Sequence, residues 1–198
     1  MRGAADGHGM SMCTDAPSDQ PPDVARGGGT AHAPPTAAET RWLGLRITTD
    51  GTWLYRGSPI RRKELVKLFA SVLRRDADSS YWLVTPVERG RIEVEDVPFV
   101  AVELAVVGAG AEQKLRLRTN LDEWLTLDPN HRLQFRRPSG QAPAAGAVPY
   151  VEVRPGLEAR LARPVFYELV EIGADHREHG RQRFGVWSDG CFFPLDEP

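Results

Sequence analysis

Residues 81–107 constrain the fold more than any other stretch of this chain. They begin Tyr81-Trp82-Leu83-Val84, continue through Thr85-Pro86-Val87-Glu88-Arg89-Gly90, and enter a run in which Ile92 and Val94 alternate with Glu93 and Glu95. A period of two is the signature of a half-buried strand. The pattern predicts a strand, a turn at Glu88-Arg89-Gly90, a second strand with Ile92, Val94 and Val97 as its apolar positions, and entry into a third. Gly90 offers the backbone freedom that a tight hairpin turn needs. Residues 99–107, Phe99-Val100-Ala101-Val102-Glu103-Leu104-Ala105-Val106-Val107, are nearly all apolar. They read as a central strand covered on both faces. The stretch organises a fold and carries no recognisable catalytic device.

Before it, residues 1–40 are rich in Gly, Ala, Pro, Ser and Asp and nearly free of large apolar side chains. Such a segment cannot bury enough surface to offset its ordering entropy, so a disordered tail is expected. Gly27-Gly28-Gly29 falls inside it and reads as flexible linker, because a phosphate-cradling loop needs a strand before it and a helix behind it. Ordered structure is expected from Trp42, with a hairpin around Asp50-Gly51. Trp53 and Tyr55 then share a face, with Leu54 opposite, and Gly57-Ser58-Pro59 breaks the strand. A helix is predicted over residues 61–75, with Leu65, Leu68, Phe69, Val72 and Leu73 as its core stripe. Its basic residues, from Arg61 to Arg75, read as a solvated face. Asp76-Ala77-Asp78-Ser79-Ser80 is a turn.

After residue 107, Gly108-Ala109-Gly110 turns the chain into a strand where Leu115 and Leu117 alternate with Arg116 and Arg118. Short strands are expected over residues 124–127 and 133–136, a Pro/Gly/Ala loop over 138–149, and a strand over 150–154 ended by Pro155-Gly156. A second helix is expected from Pro164 to Ile172, with Val165, Leu169 and Ile172 inward; proline is tolerated in the first helical turn. Residues 173–182 read as polar linker. Residues 183–187 and 191–195 read as a closing hairpin. The Trp-bearing hairpins near Asp50-Gly51 and Ser188-Asp189-Gly190 hint at an internal echo.

The predicted class is therefore α+β: antiparallel sheet and hairpins with two amphipathic helices, in two similar halves spanning residues 41–98 and 99–198. A formal net charge of −2, from 25 Lys+Arg against 27 Asp+Glu, argues against a general nucleic-acid or membrane-surface binder. No apolar run reaches transmembrane length and the start lacks the apolar core of a secretory signal. Cys13 and Cys191 give neither a disulfide framework nor a zinc pattern, so reduced thiols in the cytoplasm are expected.

Several segments together resemble one group. They are Asp50-Gly51-Thr52-Trp53-Leu54-Tyr55, Tyr81-Trp82-Leu83-Val84-Thr85-Pro86-Val87-Glu88 and Val94-Glu95-Asp96-Val97-Pro98-Phe99. Thr119-Asn120, Pro149-Tyr150, Arg163-Pro164-Val165-Phe166-Tyr167-Glu168-Leu169-Val170 and Gly185-Val186-Trp187-Ser188 complete the set. In this order, across residues 42–195, they resemble the bacterial proteins grouped as domain of unknown function (DUF) family 1285. The resemblance implies a compact two-part α+β fold and no established enzymatic activity. It also implies small-molecule binding with a signalling role as the suggested function, with no ligand named.

Candidate chemistry is sparse. Glu93 and Glu95 share a strand face and read as solvated. Glu88 ends an apolar strand beside Pro86, where a carboxylate can point into a cleft. His176 and His179, three apart, lack a third ligand, so no metal is expected. His131 reads as a turn residue and Cys191 as strand filler. Asn120, Tyr150, Arg154, Arg163 and Tyr167 stand at strand ends or at the start of the second helix, where pockets commonly open. Arg154 and Arg163 suit a carboxylate or phosphate, and Arg163 adds to the positive end of a helix dipole. The expected function is a non-catalytic domain binding a small anion through Arg154, Arg163, Glu88, Asn120, Tyr150 and Tyr167, without cofactor, nucleic acid or membrane. The rivals are a hydrolase or transferase using Glu88 on an anionic substrate, and a protein-interaction module using the basic face of the first helix.

Overall fold

A computed structural model of the chain describes residues 41–138, 146–178 and 181–195. The predicted tail with Gly27–Gly29 and Cys13, most of the 138–149 loop, and His179 lie outside the described residues.

Three sheets are built from consecutive stretches of chain. The first holds β1 (Trp42–Ile47), β2 (Trp53–Tyr55), β3 (Ser58–Pro59), β4 (Leu73–Arg75), β5 (Tyr81–Val84) and β6 (Arg89–Val94), in the order β3-β2-β1-β6-β5-β4. The second holds β7 (Phe99–Val107), β8 (Lys114–Thr119), β9 (Trp124–Thr126), β10 (Leu133–Arg136), β11 (Val148–Arg154) and β12 (Leu157–Leu161), in the order β10-β11-β12-β7-β8-β9. Counted from its own first strand, each sheet follows one plan: two three-stranded meanders joined where the first strand meets the sixth. Those junctions, β1 with β6 and β12 with β7, are parallel, and the other pairings are antiparallel. The class is α+β as expected, but its sheets are mixed rather than purely antiparallel hairpins. The third sheet, β13 (Ala174–Glu178), β14 (Arg181–Ser188) and β15 (Cys191–Pro194), stands outside this plan. The Trp-bearing hairpin near Asp189 therefore has no counterpart at Asp50-Gly51.

Register explains the burial in the opening stretch. Tyr81 pairs with Ile92 and Leu83 with Gly90, and all four are buried. Gly90 is thus a strand residue and not the turn. The turn falls earlier, where the Thr85 N–H donates to Glu88 O at 2.8 Å and Thr85 Oγ1 accepts from the Glu88 N–H at 3.0 Å. That threonine closes the loop without a glycine. β7 is central in its sheet, but only its first part is covered. Phe99 and Ala101 are fully buried beside β12, whereas Val102, Val106 and Val107 are exposed. The β12 pairing reaches no further than Ala101, and beyond it β7 continues as a ribbon with β8.

The first helix, α1 (Lys63–Ser71), is shorter than predicted. Leu73–Arg75 leave it to pair with β5, through a turn in which Asp78 Oδ1 accepts the Ser80 N–H at 2.9 Å. Leu73 is fully buried as a strand residue. The predicted stripe is also rotated: Val66 and Ala70 enter the core, while Leu68 is 61% exposed. A substitution at Leu68 consequently loses the large cost that a core position would give it. The second helix, α2 (Arg163–Glu171), buries Val165 and Leu169 as expected, although Ile172 caps its end and is partly exposed. Residues 174–178 form β13 rather than linker, because each of them has a partner on β14.

One core runs through both large sheets. Two polar clasps tie their elements together. Asn120 Oδ1 accepts the Val100 N–H at 3.1 Å and its Nδ2 donates to Gly51 O at 3.2 Å, joining the β1–β2 hairpin to β7. Buried Ser188 accepts the Leu115 N–H at 3.0 Å and donates to Leu127 O at 2.7 Å, fastening the third sheet to the second.

Candidate functional site

A groove of about 580 Å³ opens between α1 and the first sheet. Its floor comes from the strands: Leu43 and Leu45 of β1, Leu83 of β5 and Gly90 of β6. Its wall comes from Leu65, Phe69 and Val72, spaced four and three apart along α1 and its cap, with Ile60 at one end. Three of the five residues that periodicity assigns to the core stripe, Leu65, Phe69 and Val72, therefore face a cavity. Phe69 stacks on Trp53 with ring centroids 6.2 Å apart, which holds the helix over the sheet. Gly90 lies directly beneath Leu43 in this floor. A Cβ there would lie 2.3 Å from Leu43 Cγ, so only glycine lets Leu43 lie down across β6.

The polar groups are gathered at the rim, which consists of Arg41, Arg56, Thr85 and Glu88 beside the aromatic faces of Trp42 and Tyr55. Arg41 Nη1 and Glu88 Oε1 form an ion pair at 2.7 Å. Arg56 holds a left-handed backbone, φ 48°, next to Gly57 at φ 82°. Its N–H donates to Gly44 O at 2.8 Å, and Gly44 is itself left-handed at φ 67°. A Cβ on Gly44 would stand 3.3 Å from Arg56 Cγ, so the arginine stem lies against this glycine. The guanidinium sits 5.2 Å from the centre of the Tyr55 ring.

The six residues singled out from sequence do not gather at one place. Glu88 lines the groove. Arg154 lines a second, shallower pocket of about 350 Å³ with Lys67, Ala70, Ser71, Leu121, Asp122 and Glu123. There its Nε lies 3.3 Å from Glu123 Oε1, its Nη2 donates to Ala70 O at 3.2 Å, and its head lies 5.3 Å from the Phe99 ring centre. The neighbouring Asp122 accepts from Lys63 at 2.7 Å, Lys67 at 2.9 Å and Arg118 at 2.9 Å. These hydrogen bonds, Lys63 first, hold its carboxyl well below the usual range. The pocket is therefore furnished with acidic groups already matched to cations. Arg163 is exposed at the first turn of α2, and Tyr167 is 60% exposed beside Phe166. Asn120 is occupied by the clasp described above.

Tyr150 is fully buried. Its hydroxyl donates to the Asp96 carboxylate at 2.9 Å, and Arg136 lies 3.8 Å over its ring. Arg136 in turn makes a two-pronged contact with Glu158, at 2.5 and 2.9 Å. Burial, and then the Asp96 hydrogen bond, push the Tyr150 phenol well above its ordinary value. This is a closed network in which each charge has a partner, as buried charges require.

Other candidates resolve into structural roles. Glu95 accepts the Thr49 N–H at 2.9 Å and pairs with Arg46 at 2.7 Å, while Glu93 is half exposed and 3.8 Å from Arg46. His131 Nδ1 lies 3.0 Å from Asp128 Oδ1 within its turn. His176 packs 4.9 Å from Trp187 and 4.8 Å from Phe192. Among the described residues no group of three or more His, Cys, Asp or Glu is placed to hold a metal. No helix among them is long and apolar enough to cross a membrane. The rim arginines Arg41 and Arg56 escaped sequence reasoning. The only available signal was Arg56-Gly57, a dipeptide suited to a turn with two left-handed residues.

Comparison with known proteins agrees with this architecture. Residues 33–97 match the N-terminal domain model of a family described as a domain of unknown function (DUF1285). Residues 98–195 match the C-terminal domain model, described as a protein of unknown function (DUF1285). No curated protein matches the chain. Among solved structures, a DUF1285 family protein from Silicibacter pomeroyi DSS-3 is 42% identical, with 78% of this chain and 80% of that chain covered and a TM-score of 0.68. A DUF1285 family protein from Shewanella baltica OS155 is 28% identical, with 65% of this chain and 91% of that chain covered and a TM-score of 0.50. With both family models matched in order along residues 33–195, the chain belongs to the bacterial DUF1285 family.

Proposed function

We propose that this chain is a cytoplasmic, non-catalytic ligand-binding domain with a regulatory role, and that its ligand sits in the groove beneath α1. The observation that carries this reading is the groove itself. Its volume of about 580 Å³ falls within the range of roughly 300–1,000 Å³ typical of small-molecule sites. Its lining has the composition of such sites, with an apolar floor and wall and a few polar groups at one edge. The anion site first expected at Arg154 and Arg163 gains less support. Arg154 faces Glu123 at 3.3 Å and donates to the Ala70 carbonyl, although its buried Nε makes no hydrogen bond among the described residues, and Arg163 stands apart in the open.

The test is native mass spectrometry of the full chain purified without denaturation, beside a Leu65→Gln variant. Leu65 is 36% exposed at the groove edge, so the change makes the wall polar while the core is spared. Retention of a small molecule by the wild type, and its loss from the variant, is the expected result. A molecule retained equally by both would move the site elsewhere.

A further inference from the structure

The groove is apolar along its length and cationic at its mouth, and those two properties together select a kind of ligand. We infer that it takes a free single-chain amphipathic carboxylate, with the tail lying between α1 and β1 and the head meeting Arg56. This assignment rests on the groove being the binding site.

Three observations carry it. The wall and floor offer a tail only hydrocarbon and aromatic surface from Leu43, Leu45, Ile60, Leu65, Phe69 and Val72. Polar atoms at the bottom of such a groove would be stripped of water without compensation, so an apolar tail is the part that fits there. The rim carries two arginines and one glutamate, and Arg41 is matched to Glu88. Arg56 has no acidic partner among the described residues. Its contacts there are the Tyr55 ring and the backbone of Gly44, so among the described residues no carboxylate offsets its charge at the mouth. Finally, its position is built. The left-handed backbone at Arg56 is costly for a side-chain-bearing residue, and Gly44 leaves the space in which the arginine stem lies. Asparagine or glycine would serve the turn better. Arginine there brings its guanidinium to the groove mouth, and a guanidinium hydrogen-bonds a carboxylate through two parallel N–H groups.

The experiment is isothermal titration of the full chain with hexanoate, octanoate, decanoate and decanol, in wild type and in Arg56→Gly, Arg56→Lys and Leu65→Gln variants. Arg56→Gly removes the charge and relaxes the backbone, so loss of binding cannot be blamed on loss of fold. The expected result has three parts. Each added methylene tightens carboxylate binding about three- to fourfold. Arg56→Gly weakens decanoate about tenfold and leaves decanol unchanged. Arg56→Lys recovers part of the loss. If wild type binds decanoate and decanol equally while Leu65→Gln weakens both, the groove stands and the anionic head is overturned. If affinity is independent of chain length and of Leu65→Gln, the groove itself is overturned. Binding to phosphatidylglycerol vesicles without any response to monomeric decanoate would overturn the inference in favour of a membrane surface.

Discussion

Leu43 lies across Gly90, with its Cγ 2.3 Å from where a Cβ would stand, and this contact sets the floor of the groove. The two residues belong to β1 and β6, the parallel pair that closes the first sheet.

Gly90→Ala should therefore be costly although the change adds a single methyl. The new atom meets a side chain fixed on a strand, and overpacking of this kind costs about 1–3 kcal/mol. Urea unfolding would measure it, and Leu43→Ala in the same background should recover part of the loss. A neutral Gly90→Ala would mean that Leu43 does not rest there.

Leu68 and Leu73 separate the predicted helix from the observed one. Leu73→Ala should cost about 2–5 kcal/mol, because the side chain is fully buried in β4. Leu68→Ala should stay within about 0.5 kcal/mol, because the side chain is 61% exposed. Equal losses in chemical denaturation would restore the longer helix with its stripe turned inward.

Tyr150 links the buried network to alkaline stability. Burial and the Asp96 hydrogen bond raise its phenol above the ordinary 10.0. The folded chain then keeps this proton at a pH where the unfolded chain has lost it. The contribution is complete below about pH 10 and falls away as pH rises from there through the folded value. Ultraviolet titration of phenolate should show a late-ionising tyrosine that disappears in Tyr150→Phe. Tyr81, raised by its own burial, should remain. Stability of Tyr150→Phe should decline less steeply above pH 10 than that of the wild type. An unchanged late step in the variant would place the shifted phenol elsewhere.

Legibility followed periodicity. Where alternation was strict, as in residues 92–94 and 115–118, strand and buried face were both readable, because a period of two assigns a face directly. Adjacent apolar residues were ambiguous. Val72-Leu73 fits a helical stripe and a strand entry equally well, and only the pairing of Leu73 with Leu83 decides between them. Residues 174–178 carry no apolar alternation at all, so their strand is set by β14 alone. Parallel closure pairs Arg46 with Glu93 in the first sheet and Ala159 with Phe99 in the second, segments far apart in the chain, which no local pattern encodes. Of the residues that line the groove, Glu88 was singled out from sequence as a carboxylate ending an apolar strand, and it lies in the turn between β5 and β6. The groove itself was not legible, because Leu65, Phe69 and Val72 look the same whether they face a core or a cavity. Arg56 was hidden for a different reason: its place at the mouth depends on Gly44, which belongs to another strand.

The proposed ligand lies between α1 and the first sheet. Titration of isotope-labelled protein with decanoate, followed by backbone and methyl nuclear magnetic resonance, tests this placement most directly. Saturable shifts are expected at Leu43, Ile60, Leu65, Phe69 and Arg56, with Arg154 and Arg163 unmoved. Shifts centred on Arg154 or Arg163, with the α1 groove silent, would contradict it.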